Sequence, residues 1–273
     1  MNLSEINIYP VKSTRRILLN ESEVLPRGLP LDRRWMLIDE QNRFITARKY
    51  PSLATVDTRI DDNVLQISVT GKDALALPLQ PAGSGTISVT IWKSQCHALL
   101  AGSQADAWFS SFIGVPCRLV QMTDDLVRGV DQRYGRPDDE VSFADGFPLL
   151  LIGEASLDDL NSRLQQPVPM QRFRPNVVVA GAPAYAEDNW QRIRIGAVEF
   201  EGVKNCSRCI FTTIDADTGV PSRDREPLAT LRGYRSRPEG GVFFGQNLIP
   251  RGRGTIRIGD EVTVLSASEP VSR

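Results

Sequence analysis

"RIRIGAVEFEGVKNCSRCIFTTID", residues 192–215, holds in one stretch the pattern that decides the fold and the residues that raise the question of chemistry. In its first half Ile193, Ile195, Val198 and Phe200 alternate with Arg192, Arg194, Glu199 and Glu201 around Gly196, which is the period-two pattern of strands buried on one face. In its second half Cys206 and Cys209 stand three apart with Arg208 between them. The β-branched run that follows, "CIFTTID", predicts a further strand. A Cys-x-x-Cys in such a setting is a zinc knuckle, a redox pair, a buried structural thiol, or a thiolate kept for another metal or an electrophile.

The same strand pattern extends outward through most of the chain. "INIYPV", "RWMLIDE", "FITARK", "LATVDTRI", "VLQISVT" and "TISVTIW" are apolar or alternating runs separated by Gly, Pro, Asp and Asn, the punctuation of an antiparallel β-fold. A helix is expected at "SQADAWFSSFIGV", with Ser103 as cap and Trp108, Phe109, Phe112 and Ile113 on one apolar face, followed by a strand at "CRLVQM". "TDDLVRGVDQRYGRPDDE", polar and turn-rich, reads as a linker, so the chain divides into residues 1–122 and 123–273. The second part adds a helix at "EASLDDLNSRL", with Ser156 as N-cap and Leu157, Leu160 and Leu164 inward. It also adds strands at "NVVVAG" and "TIRIGDEVTVL" and a short helix opened by Pro227. The expected class is mostly β with a few helices (α+β).

Composition narrows the function. The chain has 273 residues, 41% hydrophobic and 24% charged, the balance of an ordinary soluble globular protein. No apolar run of about 18 residues is present, and "MNLSEINIYPVKS" lacks the basic and apolar regions of a secretory leader. A cytoplasmic protein that spans no membrane is therefore expected. A net charge of −1 argues against binding a nucleic-acid polymer or a membrane surface. Four cysteines are too few for a disulfide scaffold and are expected to be reduced thiols. Of the 32 basic residues only five are Lys and the other 27 are Arg, the cation suited to bidentate contacts with phosphate and carboxylate.

Zinc wants four ligands. Here one Cys pair is joined by Cys96, His97 and an isolated Cys117, and Cys96 and His97, adjacent in a strand, point to opposite faces. A thioredoxin-like pair sits at a helix N-terminus, whereas this pair leads into a strand-like run. What favours a functional thiolate is its company. Lys12 and Ser13 follow the first strand; Arg33, Arg34 and Arg48 lie at turns; Arg172, Arg174 and Asn176 precede "VVVAG"; Arg208 lies between the thiols. Such groups at strand ends converge readily on an anion, and a thiolate beside them is a soft metal ligand.

"YPVKS", "GLPLDRRWMLID" and "FITARKYPSLATV" resemble the N-terminal β-barrel domain of the MOSC superfamily. "FADGFPLLLIGEASLDDLN", "FRPNVVV", "CSRCIFTTIDADTG", "EPLATLRGYR", "FFGQNL" and "IRIGDEV" resemble its MOSC β-barrel domain. The resemblance covers nearly the whole chain. It points to the branch that contains the bacterial N-hydroxylated-base reductases and the amidoxime-reducing components, and implies a pyranopterin molybdenum cofactor rather than pyridoxal phosphate, held at the interface of the two domains. By the same matching, Cys209 is the molybdenum ligand. Lys12, Ser13, Arg33, Arg174 and Asn176 hold the cofactor's phosphate and pterin, Ser207 and Arg208 contact it beside the metal, and Asp145 is an acidic residue close to the metal. The reaction implied is oxygen removal from N-hydroxylated nucleobases, amidoximes or hydroxylamines. The bacterial relatives continue into a ferredoxin-like iron–sulfur domain whose cysteines are missing here, so no iron–sulfur cluster is expected in this chain. Electrons are expected from a separate flavoprotein reductase, ferredoxin or cytochrome. The alternative is a non-catalytic carrier of molybdenum cofactor or sulfur that uses Cys209.

Overall fold

The alternating runs become strands in a computed structural model, which describes residues 1–80, 85–238 and 240–269. The first part contributes β1 (Asn2–Ile8), β2 (Ile17–Leu19), β3 (Glu21–Val24), β4 (Trp35–Ile38), β5 (Asp57–Asp61), β6 (Val64–Val69), β7 (Lys72–Pro78), β8 (Thr86–Ile91), β9 (Ser94–Leu100), α1 (Ser103–Ile113) and β10 (Arg118–Gln121). The second contributes β11 (Leu149–Gly153), α2 (Glu154–Ser162), β12 (Val177–Ala180), β13 (Trp190–Ile195), β14 (Val198–Ser207), α3 (Leu228–Arg235), β15 (Phe243–Pro250), β16 (Gly254–Arg257) and β17 (Val262–Ala267). The fold is mostly β, with three α-helices among the described residues.

Four sheets result. The largest has the order β17-β13-β14-β15-β11-β12-β1-β2, beside a β4-β10-β9-β8 sheet, a β5-β6-β7 sheet and a β16-β3 pair. Residues 1–122 thus contribute strands to every sheet, because β1 pairs antiparallel with β12 and β3 with β16. One core packs Leu3, Ile6, Val179, Ile193 and Phe200. Another packs Trp35, Leu37, Leu65, Ile67 and Phe109. A third lies beneath α2 and α3, around Leu160, Phe173, Leu231 and Phe244. Full burial of each such side chain is worth about 1.5–3 kcal/mol, and these cores fix the strand ends on which the cleft described below is built.

The opening stretch shows how sequence sets this geometry. Ile195 pairs with Val198 across a tight turn at Gly196, where φ is +55°. Ile193, Ile195, Val198 and Phe200 face inward while Arg192 and Arg194 are exposed. Along β14 the register with β15 shifts between Gly202 and Lys204 and again between Asn205 and Ser207. Such bulges bend a strand and re-aim its side chains. A side chain at 202 is excluded, because a Cβ there would stand 2.0 Å from the Trp190 carbonyl oxygen.

Several expectations are corrected. The run after Cys209 is not a strand: Ile210–Thr213 is a 3-10 turn. The hydroxyls of Thr212 and Thr213 donate to the carbonyls of Cys209 (3.0 Å) and Ile210 (2.8 Å), so local side-chain bonds override β-propensity. "FITARK" begins to pair, with the Ile45 amide donating to the Leu37 carbonyl, and then turns back as the Lys49 and Tyr50 amides donate to the Thr46 carbonyl. Gly102, not Ser103, caps α1, and Gly153, not Ser156, caps α2. The Ser156 hydroxyl is instead committed to buried Glu187 and to the Tyr185 amide. No helix among the described residues is long and apolar enough to cross a membrane.

Candidate active site

Cys209 follows the end of β14, where strand pairing stops and the 3-10 turn begins. The turn is fixed from below by Arg172, 8% exposed, whose guanidinium donates to the carbonyls of Thr212 (2.9 Å) and Thr213 (2.8 Å) and pairs with Asp215 at 3.2 Å. Cys209 thus stands on a braced turn and lines a cleft with about 150 Å³ of water-accessible room. The same cleft is lined by Lys12, Ser13, Arg33, Arg48, Asp145, Arg172, Arg174, Asn176, Cys206, Ser207 and Arg208. Six cationic side chains therefore surround two cysteines and one carboxylate, an arrangement suited to a polyanionic ligand.

Each wall has its own support. The β1–β2 loop presents Lys12 and Ser13, and the Ser13 hydroxyl accepts the Ala47 amide at 3.1 Å. Arg33 donates to Asp32 (2.6 Å), to the side-chain oxygen of Asn176 (2.9 Å) and to the Arg174 carbonyl (3.2 Å). The Tyr9 ring carries both guanidiniums, Arg33 at 4.3 Å and Arg174 at 4.0 Å. Burial raises the Tyr9 phenol to about 12, so the ring stays neutral beneath them. Burial also lowers Arg174 to about 10, opposed by Tyr9, which leaves it charged at neutral pH. Asn176 is fully buried and accepts the Leu150 amide while donating to the Asn7 carbonyl, joining β11 and β1 at the cleft floor.

Ser13, Arg33 and Arg174 have φ of +78°, +48° and +58°. Left-handed backbone costs a non-glycine residue on the order of 1–3 kcal/mol and clusters where function requires it. Three such residues converge on one cleft.

Around the thiol the electrostatics are asymmetric. Asp145 accepts from Lys12 at 2.6 Å and from Arg48 at 2.6 Å. Burial opposes its charge, but Lys12 and Arg48 overcome that cost and hold the carboxyl well below the usual range. Burial lowers Lys12 to about 8 despite Asp145. The Arg48 Nε donates to the Cys209 Sγ at 3.3 Å, so one guanidinium joins carboxylate and sulfur. Arg208 donates to the Cys206 Sγ at 3.0 Å, and its own Nε is buried with no partner. All four cysteines are free thiols.

The alternative ligands do not gather here. Cys96 packs in a core with Met36 and Ile38 while His97 is exposed on the opposite face of β9, and no set of three His, Cys, Asp or Glu side chains among the described residues is placed to hold a metal ion. Two residues that sequence reasoning passed over support the site. Arg128 lies in the stretch read as a linker, yet it is 6% exposed and donates to the carbonyls of Ser142, Ala144 and Asp145, fixing the loop that carries the carboxylate. Trp92 at the tip of β8–β9 stacks on Arg48 at 4.7 Å. Neither sits in a motif; only tertiary packing reveals them.

Comparison with known proteins gives the family. Residues 1–116 match the MOSC N-terminal beta barrel domain and residues 138–263 match the MOSC domain. Mitochondrial amidoxime-reducing component 1 of Mus musculus is 36% identical, and that of Homo sapiens 35%, each over 96% of this chain and 82% of the relative. Mitochondrial amidoxime reducing component 2 of Rattus norvegicus is 36% identical over 95% of this chain and 82% of its own length. With both domain models matched in order and relatives of this identity spanning nearly its whole length, the chain belongs to the MOSC family of the amidoxime-reducing components.

Proposed function

We propose that the protein is a molybdenum-cofactor-dependent reductase that removes oxygen from N-hydroxylated nucleobases, amidoximes or hydroxylamines, with electrons from a separate redox protein. The observation that carries this reading is a cysteine sulfur facing a cleft lined by six cationic side chains, with three wall residues held in left-handed backbone. The residues present fit such a group. A phosphate suits Lys12, Ser13 and Arg33. Arg174 and Asn176 suit the polar edge of a pterin, and the unpartnered buried Nε of Arg208 offers a donor beside Ser207. Cys209 offers the soft sulfur that high-valent molybdenum accepts. When bound, the cofactor supplies the two-electron, oxygen-accepting chemistry, and the protein supplies binding, orientation and electrostatics.

The remaining roles belong to this chain's own side chains. Arg48 orients the Cys209 sulfur by its 3.3 Å hydrogen bond and is itself fixed by Asp145. Asp145, ionised at neutral pH, accepts a hydrogen bond from the N–H or O–H of a bound substrate. Lys12 Nζ, with a pKa of about 8 and in contact with the Asp145 carboxylate, is the adjacent group able to release a proton near neutrality. The test is turnover of benzamidoxime with reduced viologen by cofactor-loaded protein. Reduction lost in Cys209→Ala and kept in Cys206→Ala supports the reading. Cofactor that binds and is released with no turnover in any sample overturns it in favour of a carrier.

A further inference from the structure

The β8–β9 hairpin closes through two residues, Trp92 and Lys93, between the paired Ile91 and Ser94. Trp92 takes φ of +55° at the first loop position, a conformation that tight hairpins demand and glycine usually supplies. A bulky side chain there is sterically costly and persists only where something else requires it. Trp92 is also 53% exposed, whereas Trp35, Trp108 and Trp190 are each at most 9% exposed. A large aromatic is thus held in an unfavourable backbone conformation and left open to solvent.

Its contacts say where it stands. The ring lies 5.0 Å from that of Phe44 at a 57° tilt, and the Arg48 guanidinium sits 4.7 Å from its centre. Arg48 reaches the Cys209 sulfur and Asp145. A single guanidinium therefore bridges the exposed ring and the sulfur, which puts Trp92 at the mouth above the two residues nearest the chemistry.

We propose that Trp92, backed by Phe44, is the specificity-determining residue of the mouth: it stacks against the flat conjugated body of a substrate whose N-hydroxyl end points towards Cys209. The inference rests on the reductase reading and adds a substrate preference to it, for planar aromatic amidoximes and N-hydroxylated bases over small aliphatic N-hydroxyl compounds. Base-on-aromatic stacking tolerates varied rings because every conjugated ring offers a π-face.

The test is calorimetric titration of the cofactor-loaded full chain with benzamidoxime and with acetamidoxime, which carries the same reacting group without a ring. Trp92→Gly keeps the turn and removes the ring. It is expected to raise the benzamidoxime Kd on the order of tenfold to a hundredfold and to leave acetamidoxime within about twofold. Trp92→Phe keeps a ring and is expected to stay within about threefold of wild type for both. Benzamidoxime should also quench the exposed Trp92 emission saturably. Equal weakening of both ligands in Trp92→Gly, no weakening of either, or failure of wild-type protein to bind benzamidoxime overturns the proposal. Viologen-driven turnover on the same samples separates the two ideas: wild-type protein that binds selectively but reduces neither compound refutes the reductase reading and leaves the selector role standing.

Discussion

Replacing Asp145 with Asn removes the one carboxylate of a cationic cleft while keeping its shape. Asp145 holds Lys12 and Arg48 at 2.6 Å each; the Lys12 side chain is 7% exposed and that of Asp145 53%. A fully buried ion stripped of its partner costs about 3–5 kcal/mol and an exposed pair about 0.2–1 kcal/mol, so a pair with one end buried should lose about 2 kcal/mol. For a chain of this size that is a fall in Tm of about 4 °C. Urea unfolding of wild type, Asp145→Asn, Lys12→Met and the double variant checks the cause, because two residues in contact should show a coupling energy of about 2 kcal/mol. The pH dependence follows from the two shifts. Asp145 has a folded pKa below its ordinary 3.8, so its contribution is complete above about pH 4 and fades as pH falls towards the folded value. Lys12 has a folded pKa of about 8, below its ordinary 10.5, so the folded state loses the cation and the pair as pH rises through about 8. The deficit of Asp145→Asn should therefore be fullest between about pH 4 and the pH at which the unpaired Lys12 of the variant sheds its proton, fade as pH falls towards the folded Asp145 value, and be smaller above about pH 8, where Lys12 is neutral in both proteins. Additive losses in the double variant, or a deficit unchanged well above pH 8, would refute the reasoning.

Inorganic phosphate should bind the cleft of cofactor-free protein more weakly as pH rises through about 8, as Lys12 loses its proton, and Lys12→Arg should flatten that dependence in a calorimetric series. Arg172→Met strips donors from the Thr212 and Thr213 carbonyls and unpairs Asp215; it should cost about 3 kcal/mol and make residues 214–226 the first site of limited proteolysis. Gly202→Ala drives a methyl onto the Trp190 carbonyl, which should cost about 3 kcal/mol in urea unfolding and perturb Trp190 fluorescence.

Much of the fold is legible because alternation is a local signal: Ile193, Ile195, Val198 and Phe200 declare the buried face of β13 and β14 without reference to anything distant. "IFTTID" is misread because threonine's β-branching suggests a strand while its hydroxyl, bonding back to the chain, favours a turn; the sequence does not say which wins. The cleft is legible through polar residues placed at strand ends, where Lys12, Arg33, Arg174 and Cys209 belong to separate segments that meet only in three dimensions. Arg128 was hidden because a polar, turn-rich stretch looks alike whether its arginine is solvated or buried among carbonyls. The left-handed backbone of Ser13, Arg33, Trp92 and Arg174 leaves no trace in composition, since each residue type ordinarily avoids it.

The central claim is that Cys209 is the ligand of a molybdenum cofactor. It is tested most directly by elemental mass spectrometry of protein produced in a host with an intact cofactor pathway, alongside Cys209→Ala and Cys206→Ala. Close to one molybdenum per chain is expected in wild type and in Cys206→Ala, with loss of the metal in Cys209→Ala. Absence of molybdenum from all three, with a control enzyme from the same host fully loaded, would contradict it.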